Sequence, residues 1–131
     1  MIRSARTRGD YSTALDHRVG CIPNARNASG CDTSGLTLPV LDFDDGCAVA
    51  GGPVYRGCRM PGYQGTYFYA DYCGSYIRSF RLSGASVTDR RDWEDQLGPG
   101  VDLLSSFGVD ADGELYIVDR TGEVFKVVPA T

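Results

Sequence analysis

The clearest pattern of apolar and polar positions runs from Gly51 to Leu82, GGPVYRGCRMPGYQGTYFYADYCGSYIRSFRL, where short aromatic runs are cut apart by glycine and proline turns. Within it, Thr66 to Tyr72 alternates so that Phe68 and Tyr72 share one face and Tyr67 and Tyr69 the other, because successive side chains of a strand point to opposite sides. Both faces are apolar. A strand of an isolated antiparallel sheet keeps one wet face, so this pattern predicts cover on both sides. Ala48 to Arg56 reads as the preceding strand, joined through the turn RMPGYQG, and a third aromatic strand closes at Leu82. Ser83 to Gly100 reads as a polar connection around Trp93, with DWEDQLGPG allowing at most one helical turn. The last third predicts three strands, Leu103 to Val109, Glu114 to Asp119 and Glu123 to Val128, meeting at two tight turns. Asp112-Gly113 is read as a type I′ hairpin turn, in which both central residues need positive φ. Upstream, Leu36, Leu38 and Val40 share one face of an extended segment that Pro39 confines to an edge. Residues 21 to 35 read as a loop, and 1 to 20 as a poorly ordered lead.

The expected fold class is all-β. Two strand clusters about 50 residues apart match the spacing of propeller blades. At 131 residues and 42% hydrophobic the chain has the prior of one folded domain. A formal net charge of -4, with Lys126 the only lysine, argues against a nucleic-acid partner. Arg3, Arg6 and Arg8 read as a solvated tail. No run approaches the roughly 18 apolar residues of a membrane helix, and no apolar stretch follows the charged start as in a signal peptide. The five cysteines point the other way, to an oxidised, extracytoplasmic setting, so an exported parent that begins upstream of Met1 is expected.

Neither paired Cys-x-x-Cys nor histidine spacings support zinc, and no metal ligand is assigned. Cys47 and Cys58 bracket a strand whose ends lie roughly 30 Å apart, beyond disulfide reach. If Ala48 to Arg56 and Thr66 to Tyr72 form a hairpin, Cys47 comes beside Cys73, and these two are expected to pair. Cys21 and Cys31 flank a short loop and form the second expected clasp, which leaves Cys58 odd.

Taken in order, CDTSGLTLPV, GCAVAGGPVYRG, GTYFYADYCGSYIRSFRL and SSFGVDADGELYIVDRTGEVFKV resemble the C-terminal part of the glucose/sorbosone dehydrogenases. These are six-bladed β-propellers that use pyrroloquinoline quinone (PQQ) and calcium, and their relatives include hedgehog-interacting protein. The resemblance spans Cys21 to Val128 and implies a partial six-bladed propeller of about two blades over residues 21–131. It implies a parent that oxidises a carbohydrate alcohol by hydride transfer to the quinone, with the remaining blades as partners and a small carbohydrate as substrate. The alternative it implies is a non-enzymatic propeller that binds a protein or glycan. Arg56 falls at a position where relatives place a basic quinone contact, and a guanidinium suits the carboxylates of PQQ; pairing with Asp71 or plain solvation is the competing reading. A further pair of quinone-binding arginines aligns near Leu103 and Ser105, neither of which is basic. The catalytic histidine and calcium ligands of relatives lie in earlier blades, so no catalytic residue is assigned and the chain alone is expected to be inactive. His17, in LDHRVG, matches nothing in the family.

Asp110, Asp112 and Glu114 alternate as a calcium loop might, but without EF-hand spacing, and turn chemistry is the preferred reading. Asp42, Asp44 and Asp45 form a second acidic cluster. Asn27-Ala28-Ser29 fits a glycosylation acceptor.

Overall fold

The computed structural model describes residues 39–41, 45–97 and 100–130. The expected lead over 1–20, the Cys21–Cys31 clasp, Asn27, Asp42 and Asp44 lie outside the described residues. The chain divides into two compact units, Met1–Asp44 and Asp45–Thr131. In the second unit, a four-stranded antiparallel sheet has the order β1 (Val49–Val54), β2 (Tyr67–Asp71), β3 (Ile77–Ser83), β4 (Ser86–Asp92). A single helical turn, α1 (Glu94–Leu97), leads to a three-stranded sheet, β5 (Leu104–Val109), β6 (Leu115–Asp119), β7 (Val124–Lys126). Two consecutive up-and-down sheets packed face to face are two blades of a partial propeller.

Aromatic alternation sets the register. Val49 pairs with Asp71 and Val54 with Tyr67 across a bulge, and Pro53 is tolerated because β1 is an edge strand and the bulge spans it. Phe68, Ala70 and Ile77 point from the first sheet into a core shared with Leu104, Leu115 and Ile117 of the second, closed by Tyr55, Met60, Val101 and Val127. Burying one such side chain contributes roughly 1.5–3 kcal/mol. The two sheets meet closely enough that a Cβ on Gly52 would lie 2.7 Å from the Phe68 carbonyl oxygen and 2.9 Å from the Phe107 ring. On the other face of β2 and β3, Tyr67 stacks on Tyr69 with ring centroids 6.3 Å apart, and Phe80 packs against both. Phe68 and Tyr69 are both buried, at 2% and 3% exposure, as a strand apolar on both faces requires. Tyr72 lies past the end of β2 and is half-buried, outside the core.

Two expectations are corrected. The polar connection after Leu82 is in large part a strand, β4, folded back at Gly84 so that Leu82 opposes Val87. It carries no apolar alternation because it is the wet outer edge of its sheet, where Arg78 pairs with Asp92 and Arg91 with Asp89. The turn at Asp112-Gly113 is not type I′: only Gly113 has positive φ, at 76°. The Gly113 N–H donates to the Asp110 carbonyl and the Asp110 N–H to the Glu114 carbonyl, which is a type I turn followed by a left-handed glycine in a bulge. The next turn repeats the geometry with Asp119, Gly122 (φ 109°) and Glu123.

Candidate functional site

The β1–β2 connection carries Arg56. Tyr55 still belongs to the ladder, donating its N–H to the Thr66 carbonyl at 2.8 Å and accepting from Gly65 at 2.9 Å. Beyond it the chain folds over Glu114, a buried residue of the neighbouring blade. Glu114 Oε1 accepts the Cys58 and Arg59 N–H groups, each at 3.1 Å, and Oε2 accepts the Tyr55 hydroxyl at 2.8 Å. The Tyr55 oxygen in turn accepts the Met60 N–H at 3.0 Å. Burial pushes the Glu114 carboxyl up, but the Tyr55 hydroxyl and the two N–H donors outweigh it and hold Glu114 below the usual carboxylate range. Burial, reinforced by the bond to Glu114, pushes the Tyr55 phenol up. A Cβ on Gly57 would come within 2.6 Å of both Glu114 Oε1 and the Tyr55 oxygen. Gly113 lies against the Arg56 carbonyl carbon, at 3.3 Å from where its own Cβ would be. The Arg56 backbone is therefore fixed between two blades while its side chain is exposed.

The expected competitor, a pair with Asp71, is not formed. Asp71 Oδ2 accepts the N–H groups of Cys47 and Ala48, and Oδ1 those of Cys73 and Gly74, all within 2.7–2.9 Å. Cys47 and Cys73 are disulfide-bonded, with a Cα–Cα distance of 5.7 Å, and Cys58 is free and exposed. Oxygen and sulfur atoms of Cys47, Asp71 and Cys73 lie within 4.8 Å of one another. The sulfurs are spent on each other and the carboxylate on four N–H groups, so this set is ill suited to a metal.

Leu103 and Ser105 sit at the opposite end of the second blade from Arg56. The Leu103 N–H donates to Asp119 Oδ2 at 2.9 Å and the Ser105 hydroxyl to the Val118 carbonyl at 3.1 Å, whereas Arg56 touches the Gly113 turn. The strand between them is about 15–20 Å long at 3.3 Å per residue. The structure does not bring the three positions together. The residues present thus suit a single carboxylate at Arg56 and do not build a three-cation quinone cradle.

The acidic alternation at Asp110 resolves into separate tasks. Asp110 accepts the Asp112 and Glu114 N–H groups, the Tyr116 hydroxyl at 3.1 Å and Lys126 Nζ at 2.9 Å. Lys126, with the Glu114 N–H, draws the Asp110 pKa down to about 2. Asp119 is held low by the Thr121 hydroxyl and N–H groups, and by the Leu103 N–H. Asp45 forms an ion pair with Arg78 at 2.6 Å. Asp119 was not singled out by sequence reasoning, and Glu114 and Asp71 were named only as part of an acidic turn and as a possible partner of Arg56, not as the buried carboxylates that gather backbone N–H groups. A signal was present: Asp-x-x-Gly recurs at Asp71, Asp110 and Asp119, twice followed by Glu.

The class these sheets define is a propeller, and the comparisons narrow it to one fold. A solved structure titled "Crystal structure of glucose dehydrogenase" is 20% identical, matches 74% of this chain and 28% of its own length, with a TM-score of 0.55. A second, "glucose dehydrogenase", is 21% identical over 84% of this chain and 32% of its own, with a TM-score of 0.58. The fold is glucose dehydrogenase-like, and the chain spans less than a third of the length of these proteins. No family model and no curated protein matches the chain.

Proposed function

We propose that this chain contributes two blades to a sugar dehydrogenase-type propeller whose whole protein oxidises a carbohydrate alcohol. The likeness of fold to two glucose dehydrogenases carries this reading. PQQ would supply the hydride acceptor, with calcium and the proton-abstracting histidine held by other blades. Arg56 is the contact this chain offers, through an exposed guanidinium on a backbone fixed by Glu114. An exposed disulfide supports an extracytoplasmic setting. The remaining blades are the chain's partners in this reading and a small carbohydrate its substrate.

A second reading, a propeller that binds a protein or glycan without redox chemistry, is favoured by the non-basic Leu103 and Ser105 and by their distance from Arg56. Titrating the full-length protein with PQQ and calcium, by quinone fluorescence and a dye-linked assay, separates the two. The first predicts quinone binding that Arg56→Gln weakens about tenfold, the order of one charge-assisted bond. No binding at micromolar PQQ eliminates the dehydrogenase.

A further inference from the structure

At the strand ends opposite Arg56 a side-chain hydrogen bond joins the two blades: exposed Arg120 Nη1 donates to the hydroxyl of half-buried Tyr72 at 3.2 Å. Both loops are set before any ligand arrives. Asp71, fully buried, holds the β2–β3 loop through four N–H groups, and the Cys47–Cys73 disulfide closes it. Asp119, 2% exposed, holds the β6–β7 turn through the Thr121 N–H and hydroxyl, both at 2.7 Å, and reaches Leu103. Ser75 adopts φ 50°, a left-handed conformation uncommon for serine, and its hydroxyl reaches the Asp102 carbonyl at 3.4 Å. Leu103, 36% exposed, lies beside Arg120, whose N–H it accepts.

Arg78, Arg81, Arg91 and Lys126 all have carboxylate partners in this acidic chain. Arg120, like Arg56, Arg59 and Arg90, has no carboxylate ion pair among the described residues, and it spends one of its five donors on a neutral phenol. A guanidinium fork and a phenolic hydroxyl, side by side on loops tied by buried carboxylates, match a carboxylate with an adjacent hydroxyl, and the exposed Leu103 beside Arg120 offers an apolar shelf for a ring.

We propose that Arg120 and Tyr72 form a binding site for a small polyhydroxy carboxylate of the sugar-acid class. The site is independent of any role for Arg56, which lies at the other end of the blades. Asp102 is exposed on the same rim and opposes an anion there. The test is titration of the full chain with D-glucuronate and with D-glucose, followed by NMR shifts of rim amides. Glucuronate is expected to bind more tightly than glucose, with Arg120→Gln weakening it about tenfold, Tyr72→Phe weakening it less, and Asp102→Asn strengthening it. Arg56→Gln is expected to change nothing. Equal or absent binding of the two sugars, or an Arg120→Gln variant that keeps its fold by circular dichroism and binds glucuronate as well as the parent does, overturns the site.

Discussion

At the residue scale the fold is organised by carboxylates that accept backbone N–H groups. Asp110 is the case whose pH dependence can be worked out. Its folded pKa is about 2 against an ordinary 3.8, because Lys126 and the Glu114 N–H favour the charged form. A depressed folded pKa contributes stability that is present above the unfolded value and lost as pH falls through the folded one. The window is therefore between pH 3.8 and about 2. Glu114 and Asp119 are shifted the same way and deepen the loss. In urea melts at stepped pH, the parent should lose stability steeply across this window, and Asp110→Asn should start lower at neutral pH and fall less. Parallel profiles for the two proteins would refute the assignment. Composition shows that Asp and Gly make turns. It does not show which carboxylate is buried, because Asp110, Asp112 and Glu114 look alike as letters and differ only once Glu114 turns into the neighbouring blade. The type I′ reading of Asp112-Gly113 failed for a related reason: the Asp110 side chain, by accepting the Asp112 N–H, selects the longer type I loop.

At the element scale, two devices tie the start of β1 to the β2–β3 loop, the disulfide and Asp71. The hairpin register and cysteine spacing made the Cys47–Cys73 pair legible, since Val49 opposite Asp71 brings the two cysteines together. Closing a loop across a sequence separation of 26 is worth about 3.5 kcal/mol in the chain-entropy view. Asp71 holds the same two segments from inside, and removing it breaks four part-buried N–H bonds to a charged acceptor, each worth about 1.5–3 kcal/mol. Asp71→Ala should therefore destabilise the chain by more than the double Cys47→Ser, Cys73→Ser change does, as measured by urea midpoints. The reverse order would show that the disulfide, not the carboxylate, is the principal tie. β4 was invisible for the opposite reason. Its sequence, SVTDRRD, buries no residue fully, and its place is fixed by ladder bonds and ion pairs to β3, which leave no periodic trace in hydropathy.

At the scale of the whole molecule, the two sheets end in unlike edges. β4 presents Asp89, Arg90, Arg91 and Asp92 and is bulged against β3, the protections that keep a strand edge from recruiting another chain. β7 is less guarded: it is three residues long and has no bulge, its one charge, Lys126, is drawn to Asp110 on its own sheet, and among the described strands it pairs only with β6, exposing Val124 at 62%, with Val128 beyond it at 54%. The aromatic alternation at Tyr67 to Tyr72 called for cover on both faces; the second blade covers the Phe68 face, and on the other face Tyr69 is buried against Tyr76 and Phe80. Nothing in the short run EVFKVV foretold that its sheet would have three strands among the described residues, because an edge is defined by the neighbour beside it and not by the strand's own letters. An edge that is open among the described strands and flanked by exposed valines favours pairing with a further strand. The chain in isolation is therefore expected to self-associate with rising concentration in sedimentation velocity, and Val124→Lys should shift it toward monomer without lowering its melting temperature, since that side chain packs against little. A monodisperse monomer with a cooperative melt across the same concentrations would contradict the expectation. Association that Val124→Lys leaves unchanged would place the contact elsewhere than β7.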